Sequence, residues 1–192
     1  MVGALAAAGL AFAPDTQAAK TITIPLICHR GPSGQVIRLS VTVPPTATEG
    51  ASFAVRIDGV DTGKISHLGL RYIHDMTTEM LVPDGTSLAE DSLRIVPGTG
   101  TANVRKGARV TRQGSVIRLV LPAHVEAGQS YTPPSFEFTL RVTAPAERKI
   151  VHRFSRWEVT ANAILLGDIR MTCDANPRPY PVARTTIKPA PP

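Results

Sequence analysis

The residues of this 192-residue chain with the most evident chemical potential stand together in Ile24-Pro-Leu-Ile-Cys-His-Arg-Gly-Pro-Ser-Gly34, where Cys28, His29 and Arg30 precede a turn. Three chemistries could use such a triplet: a thiol activated by its neighbours, a metal corner, or half of a disulfide. A nucleophilic thiol requires a base, an orienting group and an electropositive pocket, and one adjacent imidazole supplies only the first. A metal corner requires converging ligands. The five histidines are His29, His67, His74, His124 and His152, and no CxxC, HxH or HExxH spacing joins them. His67 and His74 are seven positions apart, so in one strand they face opposite sides, as do the neighbours Cys28 and His29. The chain's other cysteine is Cys173. A Cys28 to Cys173 bridge would close a loop of about 145 residues, for which the chain-entropy relation gives on the order of 5 kcal/mol as an upper value. The expectation is therefore a disulfide, with no metal and no cofactor.

Hydrolytic chemistry finds little support. No GxSxG elbow occurs, Gly63-Lys-Ile-Ser66 and Asp84-Gly-Thr-Ser87 read as turns, and Glu90-Asp91 as neighbours on an extended chain point apart. Tyr72-Ile-His-Asp75 could set His74 beside Asp75, an arrangement that surface histidines commonly adopt. No glycine loop of the phosphate-cradling kind is present, and the expectation is a protein that is not an enzyme.

Charge is the most uneven property. Residues 104–156 hold ten basic side chains (Arg105, Lys106, Arg109, Arg112, Arg118, Arg141, Arg148, Lys149, Arg153 and Arg156) against three acids, Glu126, Glu137 and Glu147. The first 103 residues hold seven basic and nine acidic side chains. These ten residues form a candidate anion-binding face, suited to an anionic envelope polymer or lipid headgroups through salt-screened electrostatics. Arg118 and Arg141 alternate with apolar residues, which also fits the solvent side of a sheet. Nucleic acid is not an expected partner, because aromatic residues for base stacking are scarce. A second candidate is apolar. Phe136, Phe138, Leu140 and Val142 alternate on one segment and Trp157, Val159, Ala161 and Ala163 on another. Facing core layers explain both, but the small Ala161 and Ala163 would leave a groove for a lipid chain.

The elements that must position these residues are strands. The chain carries 17 Pro and 15 Gly, and from Lys20 its apolar residues recur mostly at every second position. Ile22, Ile24, Leu26 and Cys28 share one face, as do Ile37, Leu39, Val41 and Val43, and Pro25 points to an edge strand. Further strands are expected over 51–57, 67–74, 77–82, 92–96, 115–121, 135–143, 149–154, 157–165 and 168–173. Turn residues such as Pro83-Asp-Gly85, Pro97-Gly-Thr-Gly100 and Arg112-Gln-Gly114 divide them. The resulting expectation is an all-β, antiparallel, immunoglobulin-like sandwich in a single domain over 20–175.

Residues 1–19 read as a signal peptide. Met1 to Ala13 is an apolar run of small residues, and Thr16-Gln17-Ala18 offers a cleavage site. No basic segment precedes the run, which suggests a start codon assigned too late. Nothing in the chain reaches the roughly 20 apolar residues of a membrane-spanning helix. Residues 176–192 are proline-rich and read as an extended, largely disordered tail.

Leu26-Ile-Cys28, a glycine turn, the strand Val36 to Val43, Pro44-Pro45, Gly50, Phe53-Ala-Val55 and the late Cys173 together resemble a group of uncharacterised secreted actinobacterial β-sandwich proteins with a two-cysteine clasp. The resemblance implies a fold and a location outside the cytoplasm, and brings no functional residues with it. The chain departs from that group in its basicity and in the Cys28-His29-Arg30 triplet. The reading is a secreted or envelope-associated, non-catalytic binding or accessory module for an anionic or lipidic component. Its alternatives are an assembly subunit that pairs with another envelope protein through an edge strand and, further off, a β-sandwich enzyme.

Overall fold

The structure is a computed structural model and describes residues 19–31 and 34–191; the expected leader, all but its last residue, lies outside the described residues. The described residues form fourteen strands and one short helix. They are β1 (Lys20–His29), β2 (Val36–Thr42), β3 (Thr46–Thr48), β4 (Ser52–Gly59), β5 (Leu70–Leu81), β6 (Thr86–Leu88), β7 (Arg94–Ile95), α1 (Ala102–Arg105), β8 (Arg109–Gln113), β9 (Val116–Leu121), β10 (Val125–Glu126), β11 (Phe136–Val142), β12 (Lys149–Ala163), β13 (Gly167–Ala175) and β14 (Tyr180–Lys188).

The strands form one hydrogen-bonded network folded into two facing layers, a predominantly antiparallel β-sandwich as expected. The first layer runs β6, β11, β4, β2 and the first half of β1, with β7 also on β11. The second runs from the other half of β1 through β13, β12, β5 and β9 to β8. Each of the long strands β5 and β12 lends one edge to two shorter partners. β13 and β14 divide β12, and β9 and β10 divide β5.

β1 joins the layers. Lys20 to Pro25 pair with β2, and Leu26 to His29 pair with β13. Pro25 therefore marks a handover inside a strand with partners on both sides, where an edge strand was expected. The lost N–H falls at the switch point, and the Pro25 carbonyl still accepts from the Asn176 amide at 2.9 Å. Cys28 and Cys173 sit directly opposite one another in this register and form the expected disulfide.

Several expected elements merge or shift. The expected strands 67–74 and 77–82 merge into a single strand, β5, which begins only at Leu70 and ends at Leu81, because Asp75 adopts a left-handed conformation (φ 49°) and absorbs the break in alternation as a bulge. The segments 149–154 and 157–165 likewise merge into β12, where the register shifts between Phe154 and Arg156. The tail expectation also differs from what is observed. Tyr180–Lys188 is β14, burying Val182, Thr185 and Ile187 and pairing with β12 and with β3 in parallel. A register shift opposite His152 and Arg153 and an inward-facing threonine interrupt the apolar alternation there, so the segment lacks the plain period of a strand. Inward side chains of both layers, including Val55, Phe138, Leu140, Met76, Met80 and Phe154, make one core.

Candidate functional site

The space between two packed sheets is about 10 Å deep and is normally filled by interleaved side chains. Near β1 the filling is incomplete. On β12 the cavity-facing residues beyond Trp157 include Ala161 and Ala163, and on the opposing layer β4 ends in Gly59. A cavity of about 390 Å³ results, within the roughly 300–1,000 Å³ range of small-molecule sites. Trp157, Ala161, Ile169 and Met171 wall it on one layer, and Ile37, Leu39, Ile57 and Phe136 on the other. Cys28 lines it as well, so the disulfide is part of the wall.

The connection between β4 and β5, residues 60–69, covers this space. It is tied to the segment before β11 by backbone bonds from Thr62 to the Tyr131 carbonyl (3.0 Å), from Ile65 to Gln129 (2.9 Å) and from Gly128 to Ile65 (2.7 Å). Tyr131 is buried against the cavity, and burial pushes its phenol pKa up, which keeps it neutral. Charged groups stand at the mouth: Arg30, Arg38 and Lys64 with Asp61. All four are exposed, and Asp61 accepts the Gly63 amide at 2.7 Å. The arrangement offers an apolar slot with a mostly basic rim and, among the described residues, no cluster of three metal-ligating side chains.

The ten residues of the basic half lie on several elements, and Arg109 shares the outer face of the second layer with Glu158 and Arg170. Arg118 and Arg156 meet on the outer face of the second layer, where Arg118, Glu79, Arg156 and Asp174 are successive neighbours across β9, β5, β12 and β13. Arg118 Nε lies 3.0 Å from Glu79, and Arg156 Nε donates to Asp174 at 2.9 Å. The Asp174 hydrogen bond holds the Arg156 guanidinium more firmly charged. Glu158 extends the row by accepting from Arg170 at 2.7 Å. Arg105 and Lys106 lie at the end of α1, and Arg109 and Arg112 on the outermost strand β8. Arg148 and Lys149 sit where β12 begins, Arg153 lies further along β12, and Arg141 is on β11 in the other layer.

His74 does stand beside Asp75, with Nδ1 2.8 Å from its carboxylate and Nε2 3.5 Å from Asp168. His124 contacts Glu126 at 2.8 Å, and Tyr72 packs against both imidazoles. His29 points to the outer face, 3.8 Å from Asp174, while Cys28 points inward, so the triplet is split between two environments. His152 is buried in the core instead, its Nε2 3.3 Å from the Thr185 hydroxyl and its ring edge-on to Phe53.

Solved structures that resemble this chain include the following three. A protein described as a putative membrane-anchored protein from Corynebacterium diphtheriae is 16% identical over 90% of this chain, with a TM-score of 0.44; the chain spans 38% of its length. The collagen-binding domain of a Staphylococcus aureus adhesin is 10% identical over 76% of this chain and 95% of its own, with a TM-score of 0.38. The full-length major pilin SpaD of C. diphtheriae is 10% identical over 77% of this chain and 33% of its own, with a TM-score of 0.40. No protein-family model matches the sequence, and no curated protein matches it.

Proposed function

We propose that the protein is a non-catalytic binding module of the bacterial envelope that holds an elongated apolar ligand, of the acyl-chain type, between its layers. The cavity of about 390 Å³ walled by Trp157, Ala161, Ile169 and Met171 carries this reading. An apolar slot gains from any chain that leaves water to fill it. Arg30, Arg38 and Lys64 at the mouth suit an anionic head group. The Cys28 to Cys173 disulfide supports residence in an oxidising compartment outside the cytoplasm.

The test is titration of the purified protein with cis-parinaric acid, a fluorescent fatty acid, in the absence of micelles. Wild type should bind at a saturable site. Ala161→Phe, which places a ring in the cavity, should abolish that binding with the fold retained by circular dichroism. Failure of wild type to bind the probe, or undiminished binding by Ala161→Phe, would overturn the reading.

A further inference from the structure

The hairpin between β12 and β13 closes with Ala163 paired to Gly167, leaving Ile164, Leu165 and Leu166 as its three loop residues. Gly167 has φ 66°, the left-handed conformation that three-residue hairpin loops employ, and turns of this kind are ordinarily built from Gly, Asn, Asp and Ser. Here all three loop residues are large aliphatics, with 64%, 92% and 73% of their surface exposed. The Ile164 amide donates to the Gly69 carbonyl at 2.8 Å, which sets the loop beside Leu68, itself fully exposed. Turn geometry accounts for the glycine and for nothing else in this tip. Four contiguous exposed aliphatic side chains indicate a surface that meets an apolar phase.

The surroundings select that phase. Leu68 belongs both to the tip and to the lining of the cavity mouth, so tip and slot are continuous. Arg30, Arg38 and Lys64 line the same mouth, and Arg71 is exposed next to Leu70, the register partner of Ala163. Against these four cations stand Asp61 and Asp168, with Asp75 and Glu126 further along, each of the latter two already against an imidazole, His74 and His124. Asp168 already accepts from Asn162 at 2.7 Å. Among the described residues none of the four cations is ion-paired, in contrast to Arg118, Arg156 and Arg170 on the outer face. Unneutralised cations around an aliphatic tip complement an anionic bilayer: charges stay at the head groups while the side chains enter the acyl region.

We infer that the Ile164-Leu165-Leu166 tip, with Leu68, docks the mouth of the slot onto an anionic lipid bilayer, an inference that rests on the binding reading above. Flotation with phosphatidylglycerol vesicles, and with phosphatidylcholine vesicles as the neutral control, tests it. Wild type should float with phosphatidylglycerol and much less with phosphatidylcholine. Leu165→Asp combined with Leu166→Asp should lower the affinity by about a hundredfold, since each buried leucine is worth about tenfold. Lys64→Glu with Arg71→Glu should lower it too. Wild-type protein that ignores both vesicles, or a tip variant that floats as wild type does, overturns the inference. So does a tip-dependent dimer without vesicle binding, which assigns the tip to a second copy of the chain. Cis-parinaric acid uptake without vesicles reads the slot alone: a tip variant that keeps the probe but loses vesicles supports the inference, and wild type that takes up the probe but ignores vesicles overturns it while sparing the slot. Ala161→Phe should show the reverse pattern, losing the probe and keeping the vesicles.

Discussion

His152 makes stability depend on pH in a way that can be worked from its surroundings. The Thr185 hydroxyl donates to the Pro44 carbonyl at 2.7 Å, which leaves its lone pairs to accept from His152 Nε2–H at 3.3 Å. That bond assigns the neutral tautomer, and charging the ring would require a cation in a core beside Phe53. Burial accordingly lowers the His152 pKa from 6.5 to about 4. Above pH 6.5 the ring is neutral in both the folded and the unfolded chain, and the stability associated with the shift is fully present. Below pH 6.5 the unfolded chain takes up a proton that the native state refuses. Stability then falls by about 1.4 kcal/mol per pH unit until native His152 titrates near pH 4, a loss of about 3 kcal/mol. The variant to compare is His152→Gln, whose amide can still donate to Thr185 but does not titrate. Urea unfolding at intervals between pH 7.5 and 4 should show the wild type losing about 3 kcal/mol more than the variant, with the divergence confined to the interval from 6.5 to 4. Parallel profiles would refute the reasoning, because carboxylates titrate alike in both proteins and only the imidazole distinguishes them.

Reduction of Cys28 to Cys173 releases a loop with a sequence separation of 145, so the unreduced protein should be more stable by up to about 5 kcal/mol. Denaturant midpoints of oxidised and reduced protein measure this, and coincident midpoints would count against it. Gly59→Ala should destabilise by about 1–3 kcal/mol, because the new methyl would overlap the Pro133 carbonyl oxygen, a backbone atom rather than the end of a flexible side chain. Thermal melting of the variant tests this; an unchanged Tm would show that the Gly59 to Pro133 approach is not tight.

Legibility in the sequence followed the purity of the period. The faces Ile22 to Cys28 and Phe136 to Val142 are plain alternations, and their inward residues are those expected. Ala161 and Ala163 also pointed to a groove between layers, and the structure places them on its wall. Its cover was not legible, because residues 60–69 carry no period and Tyr131 reaches the cavity from a loop. The aliphatic tip was hidden for the opposite reason: Ile164 and Leu165 prolong the apolar run of β12 and read as its end, although the strand stops at Ala163. Counting charge between 104 and 156 is blind to partners from outside that window. Arg118 and Arg156 find their acids in Glu79, Glu158 and Asp174, all outside that window, and only strand order brings them together.

Because β1 belongs to both layers, the molecule is bound along one side like a book, with the disulfide stitched through the spine. The fore-edge, β6 and β7 in one layer and β8 in the other, is held by noncovalent contacts alone. Fluctuations that part the layers must therefore start at the fore-edge and die out towards β1. The slot starts at the spine, beside Cys28, Ile37 and Met171, and crosses the layers to Leu119 on β9 and Phe136 on β11, so its inner end is the one the binding holds. A ligand of the proposed kind would enter and leave past the 60–69 cover at the top of the page, without the book having to open.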